Sequence, residues 1–145
     1  PFAAALPASP AKVYETDLQL RFGDTDAMGH VNNATIVTYL ETGRVRFFSE
    51  VLGARRVEDI LFIVAEVSCR YRIPILLQDR VRVRMRITDI SRSSFRFLYE
   101  LMDPGDGRVF VEAETVQVMY DYATGRPIPI EPAFLGAVRD YVSGG

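Results

Sequence analysis

One stretch of this 145-residue chain carries a helical period, and nearly everything after it alternates with a period of two. The fold is thereby confined to a sheet that must find its covering layer in a single helix. Between Val31 and Leu52, Ile36, Leu40, Gly43, Phe47 and Val51 share one helical face, while Thr38, Thr42, Arg46 and Ser49 share the opposite one. Gly53 follows as a C-terminal stop. Val37, Tyr39 and Phe48 widen the apolar arc, which predicts a helix covered on most sides.

Around that segment lie the strands. Tyr14–Phe22 reads as a first strand. In Ile63–Ile73, Ile63, Ala65, Val67, Cys69, Tyr71 and Ile73 oppose Glu66, Ser68, Arg70 and Arg72, and in Arg80–Ile87 the odd positions are apolar and the even ones all arginine. Phe95, Phe97, Tyr99 and Leu101 predict a further strand, which Asp103-Pro104-Gly105-Asp106-Gly107 turns into Val109–Tyr120. Gly125-Arg126-Pro127-Ile128-Pro129 cannot be a central strand, and Glu131–Tyr141 suits a short closing helix. The order is strand, long helix, then four strands on short loops, with no internal repeat. An α+β domain follows, an antiparallel sheet wrapped around one helix, with residues 13–145 as a single unit and 1–12 as a loose Pro/Ala-rich tail.

Composition removes several function classes. The net charge of −2 argues against a nucleic-acid or anionic-membrane partner. The arginine ladder at 80, 82, 84 and 86 has Glu66, Glu100, Glu112 and Glu114 on neighbouring strands, so it is expected to be a charge-paired outer sheet face. One cysteine, Cys69, excludes an internal disulfide, and with one histidine, His30, there is no His or Cys cluster for a metal. Cys69 is expected to be a buried structural thiol. No run reaches the roughly 18 apolar residues of a membrane span, and Phe2–Leu6 is too short for a secretory core. A soluble cytoplasmic protein is the expectation.

The chemistry concentrates in Arg21-Phe-Gly-Asp-Thr-Asp-Ala-Met-Gly-His-Val-Asn-Asn33, where a strand enters a polar loop carrying Asp24 and Asp26 just ahead of the helix. A carboxylate there sets a base beside backbone N–H groups that lack intrahelical partners, namely those near Val31, Asn32 and Asn33, at the positive end of the helix dipole. Gly29 permits a positive φ or close backbone approach. With one His and one Cys, a Ser-His-Asp or Cys-His site would have to be built around His30, and no Gly-x-Ser-x-Gly elbow is present. On the residues alone, Asp26 suits either catalysis or a turn-capping contact, and Asp24 suits a structural role.

This loop resembles the signature loop of the hotdog-fold acyl-CoA thioesterases, the 4-hydroxybenzoyl-CoA thioesterase-like group. The element order is also that of the hotdog fold, so the resemblance spans about Tyr14 to Tyr141. It implies hydrolysis of a fatty or aromatic acyl-CoA, with the second Asp, Asp26, as base or nucleophile and the backbone N–H at Asn33 polarising the thioester carbonyl. Relatives carry His or Tyr at the position of Asn33, so its side-chain role is open. Gly29, His30, Val31 and Asn32 are the implied substrate contacts at the loop. Plant acyl-carrier-protein thioesterases share an Asp-x-Asn-x-His stretch, but Met28 replaces their Asn, leaving that arrangement incomplete and His30 a packing or substrate-contacting residue.

The resemblance further implies that Arg92, Ser93, Ser94 and Arg126 hold the nucleotide, with an ordinary hairpin turn at Ser91–Ser94 as the plainer reading. It implies self-association as a dimer or tetramer, with active sites between protomers, and no cofactor beyond the CoA of the substrate. Glu41 and Arg44, three residues apart, suit a mutual salt bridge or a contact with a second subunit. The rival functions are a non-catalytic acyl-CoA-binding or sensing domain, an acyl-carrier-protein thioesterase and, last, a hotdog dehydratase, which would pair a His with a carboxylate.

Overall fold

The computed structural model describes residues 10–143. Its elements are β1 (Tyr14–Leu18), α1 (Asn33–Leu52), β2 (Phe62–Tyr71), β3 (Val81–Thr88), β4 (Ser94–Met102), β5 (Val109–Asp121), β6 (Arg126–Pro127) and α2 (Pro132–Val138). The strands form one antiparallel sheet in the order β1-β3-β4-β5-β2, with β6 paired to the end of β5.

Alternation places one side chain in two against α1. Val81, Val83, Met85 and Ile87 of β3 are buried, as are Phe95, Phe97, Tyr99 and Leu101 of β4 and Val111, Ala113, Thr115, Gln117 and Met119 of β5. Helix α1 answers with Ile36, Leu40 and Phe47. Phe47 is fully buried and meets Tyr14, Phe48, Phe97 and Tyr141 edge-on, a geometry that adds to the apolar burial. Gly43 sets how closely helix and sheet approach, since a Cβ there would stand 2.9 Å from Met85 Sδ and 3.2 Å from Val83 Cγ1. Gly53 stops the helix in the left-handed region at φ 69°.

Four expectations need correction. The first strand ends at Leu18, because the chain turns at Phe22–Asp24, where Asp24 carboxylate and N–H both bond back to Arg21. Helix α1 begins at Asn33 rather than Val31, since Val31 and Asn32 spend their N–H groups on Ile75 and Asp24 carbonyls outside the helix. The helix is not covered on most sides, for Val37 and Val45 are 38% and 52% exposed. Strand β2 is an edge strand with a bulge between Val64 and Glu66, and its inner-face Val67 and Tyr71 are 42% and 48% exposed. Cys69, also on that face, is accordingly half-buried rather than sealed.

The outer face is charge-paired as expected: Arg84 meets Glu100, while Asp17 and Glu15 of β1 also pair with the ladder and Glu112 and Glu114 take other arginines. Arg82 bonds Asp17, Arg84 bonds Glu15 and Glu100, Arg96 bonds Asp89 and Glu114, and Arg72 bonds Glu112. A depression of about 310 Å³ on that face is lined by Arg70, Arg84, Arg86, Glu100, Glu112 and Glu114, among others. Of the expected N-terminal tail, residues 1–9 lie outside the described residues, while Lys12 donates its N–H to the Asp140 carbonyl at 2.8 Å.

Candidate active site

The loop between β1 and α1 is held by its two carboxylates, each with its own task. Asp24 is buried and anchors the loop to the helix. Its carboxylate accepts from the Tyr39 hydroxyl at 2.6 Å and the Arg21 N–H at 3.0 Å, with the Arg21 guanidinium 3.7 Å away. Burial pushes the Asp24 carboxyl up, but the Tyr39 and Arg21 donors and the Arg21 charge outweigh it and hold the group below its ordinary 3.8. Burial and the bond to Asp24 push the Tyr39 phenol well above its usual range, so it stays a donor.

Asp26 is exposed. One carboxylate oxygen accepts from the Met28 N–H at 2.9 Å and the His30 N–H at 3.2 Å, closing an Asx-type turn, and Asp26 N–H donates to the His30 carbonyl at 2.7 Å. Its other oxygen has no partner among the described residues. Gly29 takes φ 78°, which the turn requires. The loop leans on the segment between β2 and β3, where Val31 N–H bonds the Ile75 carbonyl at 2.8 Å and His30 bridges to Leu76.

Following every backbone N–H through this region isolates one. Met28 and His30 donate to Asp26, Gly29 to the Asp26 carbonyl, Val31 to Ile75 and Asn32 to the Asp24 carbonyl. Ala34 donates to the Asn32 side chain at 2.8 Å, which is the helix cap, and Thr35 and Ile36 donate to the Asn32 carbonyl. From Met28 to Ile36, the N–H of Asn33 alone lacks an acceptor among the described residues. It stands at the first turn of a 20-residue helix, where the peptide dipoles favour negative charge.

Arg92, Ser93, Ser94 and Arg126 come together, but elsewhere. Ile130 N–H bonds the Arg92 carbonyl at 2.8 Å, Met119 N–H bonds the Ser93 carbonyl at 2.7 Å, and Arg126 pairs with Asp121 at the end of β5. Ser91 and Ser94 are joined by their hydroxyls at 2.6 Å, so the turn has its own internal bonding. This group sits where β3 ends and β4 begins, whereas the Asp26 loop sits where β3 begins. The eight residues of β3 separate them by about 23 Å. The expected salt bridge between Glu41 and Arg44 is absent, since Arg44 turns inward and donates to the Tyr99 hydroxyl at 3.2 Å.

Sequence reasoning missed Tyr39, which fixes the height of the loop over the helix. The available signal was a tyrosine on the wide apolar arc, because a buried phenol must find an acceptor. Among the described residues no group of His, Cys, Asp and Glu could hold a metal ion, and no helix is long and apolar enough to cross a membrane.

A family model described as "Thioesterase-like superfamily" matches residues 20–138, from the end of the first strand region to the end of α2. The chain belongs to the thioesterase-like superfamily. Within this superfamily it is similar to a thioesterase from Thermus thermophilus solved in complex with coenzyme A and Zn, at 32% identity and a TM-score of 0.77, covering 86% of this chain and 90% of that one. The acyl-CoA thioester hydrolase YbgC of Escherichia coli O157:H7 is 27% identical over 132 residues, 87% of each chain. A 1,4-dihydroxy-2-naphthoyl-CoA thioesterase from Synechocystis shares the fold with a TM-score of 0.79 at 18% identity, covering 89% of this chain and 97% of that one. The hotdog architecture expected from the thioesterase-like loop is therefore the observed one.

Proposed function

We propose that this protein hydrolyses the thioester of a fatty or aromatic acyl-CoA to the free acid and CoA. The observation that carries the reading is the unclaimed Asn33 N–H at the helix start, on the same loop that leaves one Asp26 oxygen free. A thioester carbonyl set against that N–H gains its oxyanion donor at the one point where no loop carbonyl competes. Asp26 then takes a proton from a water that adds to the carbonyl carbon, or adds to the carbon itself, and the C–S bond breaks as the oxyanion collapses; on the second route water then hydrolyses the Asp26 anhydride to free acid and carboxylate. The leaving thiolate belongs to a thiol of pKa about 8.5, so no strong general acid is required. In this reading Gly29, His30, Val31 and Asn32 shape the substrate's side of the loop, and no cofactor enters beyond the CoA carried by the substrate.

The reading includes self-association. Among the described residues, strand β2 pairs with β5 alone, which leaves a ten-residue free edge beside an apolar, half-exposed inner face, a feature that proteins ordinarily cover. Antiparallel pairing of β2 with β2 of a second copy sets the Arg92–Ser94 and Arg126 end of one copy beside the Asp26 end of the other. That arrangement would supply the nucleotide grip that the Asp26 end of a single chain lacks. A cytoplasmic setting is consistent with it.

The test is thiol release from a panel of short, long and aromatic acyl-CoAs, with Asp26→Asn alongside. The amide oxygen of Asn can still accept from Met28 and His30, so the loop survives while the base is lost. Turnover that falls by about 10²- to 10⁴-fold in the variant supports the assignment. Turnover that survives moves the chemistry to another group, and binding without turnover in the parent favours the sensing domain.

A further inference from the structure

Arg44 is, among the described residues, the one buried charge with no opposite charge beside it. It is 7% exposed, its Nη1 donates to the neutral Tyr99 hydroxyl at 3.2 Å, and no carboxylate of the described residues lies within 4.0 Å. Tyr99 continues to Thr115 at 2.5 Å, Thr115 to Gln117, and Gln117 to the Phe95 carbonyl at 3.3 Å. This polar chain crosses a layer that is otherwise apolar. A buried cation without an anion is costly.

Ser143 Oγ is, among the described residues, the only side-chain polar atom that is both sealed and unpartnered, so the Arg44 nitrogens that Tyr99 does not hold keep a small contact with solvent. The helical repeat puts Val37, Glu41, Arg44 and Phe48 on one flank of α1. The sheet register puts Tyr99 beside Ala113 and Ala113 beside Cys69, so that flank overlooks the bare inner face of β2, where Val67 and Tyr71 are half-exposed. Between flank and strand lies an apolar strip of half-exposed side chains, Val37, Val67 and Tyr71, bounded toward the end of α1 by Phe48 against Phe62 at 4.8 Å between ring centroids.

We propose that the acyl group lies along this apolar strip, and that Arg44 selects acyl groups ending in a carboxylate. The proposal rests on the thioesterase reading and names its substrate class, mono-thioesters of dicarboxylic acids. Arg44 lies eleven residues beyond Asn33, about 16 Å along the helix axis, and its side chain leans back toward the helix start. A medium-length dicarboxylic chain whose thioester sits at Asn33 brings its free carboxylate to the guanidinium, where a charge-assisted bond completes the Tyr99–Thr115–Gln117 chain. Glu41, exposed at the rim of the same flank, stays outside bonding distance.

The experiment compares adipyl-, suberyl- and sebacyl-CoA with hexanoyl-, octanoyl- and decanoyl-CoA, using parent, Arg44→Met, Arg44→Lys and, on the opposite face of the sheet, Arg86→Met. Calorimetric binding and oligomeric state are followed for each protein. The expected result is a KM for the best carboxylated ester about tenfold or more below that of its alkyl counterpart, with kcat similar, because the contact is made equally before and during the reaction. Arg44→Met erases that preference, Arg44→Lys keeps part of it, and Arg86→Met keeps all of it. Equal turnover of carboxylated and alkyl esters by the parent overturns the proposal while leaving the thioesterase reading intact. Failure to bind or hydrolyse any ester instead overturns that reading. An Arg44→Met protein that changes oligomeric state and loses all esters alike also overturns the proposal, and points to Glu41 of a second copy as the missing anion.

Discussion

Tyr39→Phe removes a single oxygen and leaves the ring in place, so its effect isolates the bond that anchors the reactive loop. The phenol donates to the buried Asp24 carboxylate at 2.6 Å, shorter than the 3.0 Å bond from Arg21 N–H. A hydrogen bond to a charged acceptor is worth about 1.5–3 kcal/mol. No cavity forms, so the expected loss at neutral pH is about 2 kcal/mol, or a melting point lower by roughly 6 °C for a domain of this size. The pH dependence carries a second signature. The Asp24 carboxyl is held below its unfolded value of 3.8, so its stabilisation is fully present above that pH and fades as pH falls through the folded value. Without Tyr39 less depression remains, so parent and variant should converge below about pH 4.

Urea denaturation of parent, Tyr39→Phe, Asp24→Asn and the double variant at neutral and acid pH measures the pair's coupling directly. Because Asp24 also holds Asn32 N–H at 2.9 Å through its carbonyl, the variant should lower kcat several-fold with the helix start loosened. A cost under about 0.5 kcal/mol, or one that is the same at both pH values, would refute the assignment of Tyr39 as the anchor.

Two substitutions, one at the cap of α1 and one within it, probe the helix itself. Asn32→Ala deletes the side-chain cap on Ala34 N–H and should cost about 1 kcal/mol in denaturant unfolding; a neutral result would mean that water or a shifted 3₁₀ turn replaces the cap. Gly43→Ala sets a helix-propensity gain of about 1 kcal/mol against overpacking on Met85 and Val83 of about 1–3 kcal/mol. The net expectation is a modest loss, and a raised melting temperature would show that the helix–sheet contact has slack.

What the sequence made legible follows from the range over which each signal acts. The arginines of β3 alternate with buried Val and Met because a strand repeats every two residues, and Gly53 stops α1 because its φ of 69° suits glycine. Asp24 and Asp26 sit in one short loop, but spacing alone left Asp26 open between turn cap and catalyst, and its place as candidate base came from the likeness to the thioesterase loop. Strand β2 shows where this fails. Its alternation predicts a buried face, yet Val67 and Tyr71 stand half-exposed, since alternation marks which residues could be covered and the sheet order decides what covers them.

The Glu41 and Arg44 pair fails for a related reason. Spacing of three residues makes an ion pair possible on an exposed helix surface, but Tyr99 and Thr115, more than fifty residues away along the chain, offer Arg44 a place in the interior. Similarly, Arg92 and Arg126 suit phosphate contacts as residue types, and the chain brings them together, but at the far end of the sheet from Asp26. Chemistry of this kind is written in residue type, whereas its assembly depends on a strand order and an edge that only the folded chain displays. Strand β2 joins the two assemblies. A second copy paired along its free edge would bring Arg92 and Arg126 toward Asp26, and the uncovered face beside that edge is the one the Arg44 flank overlooks.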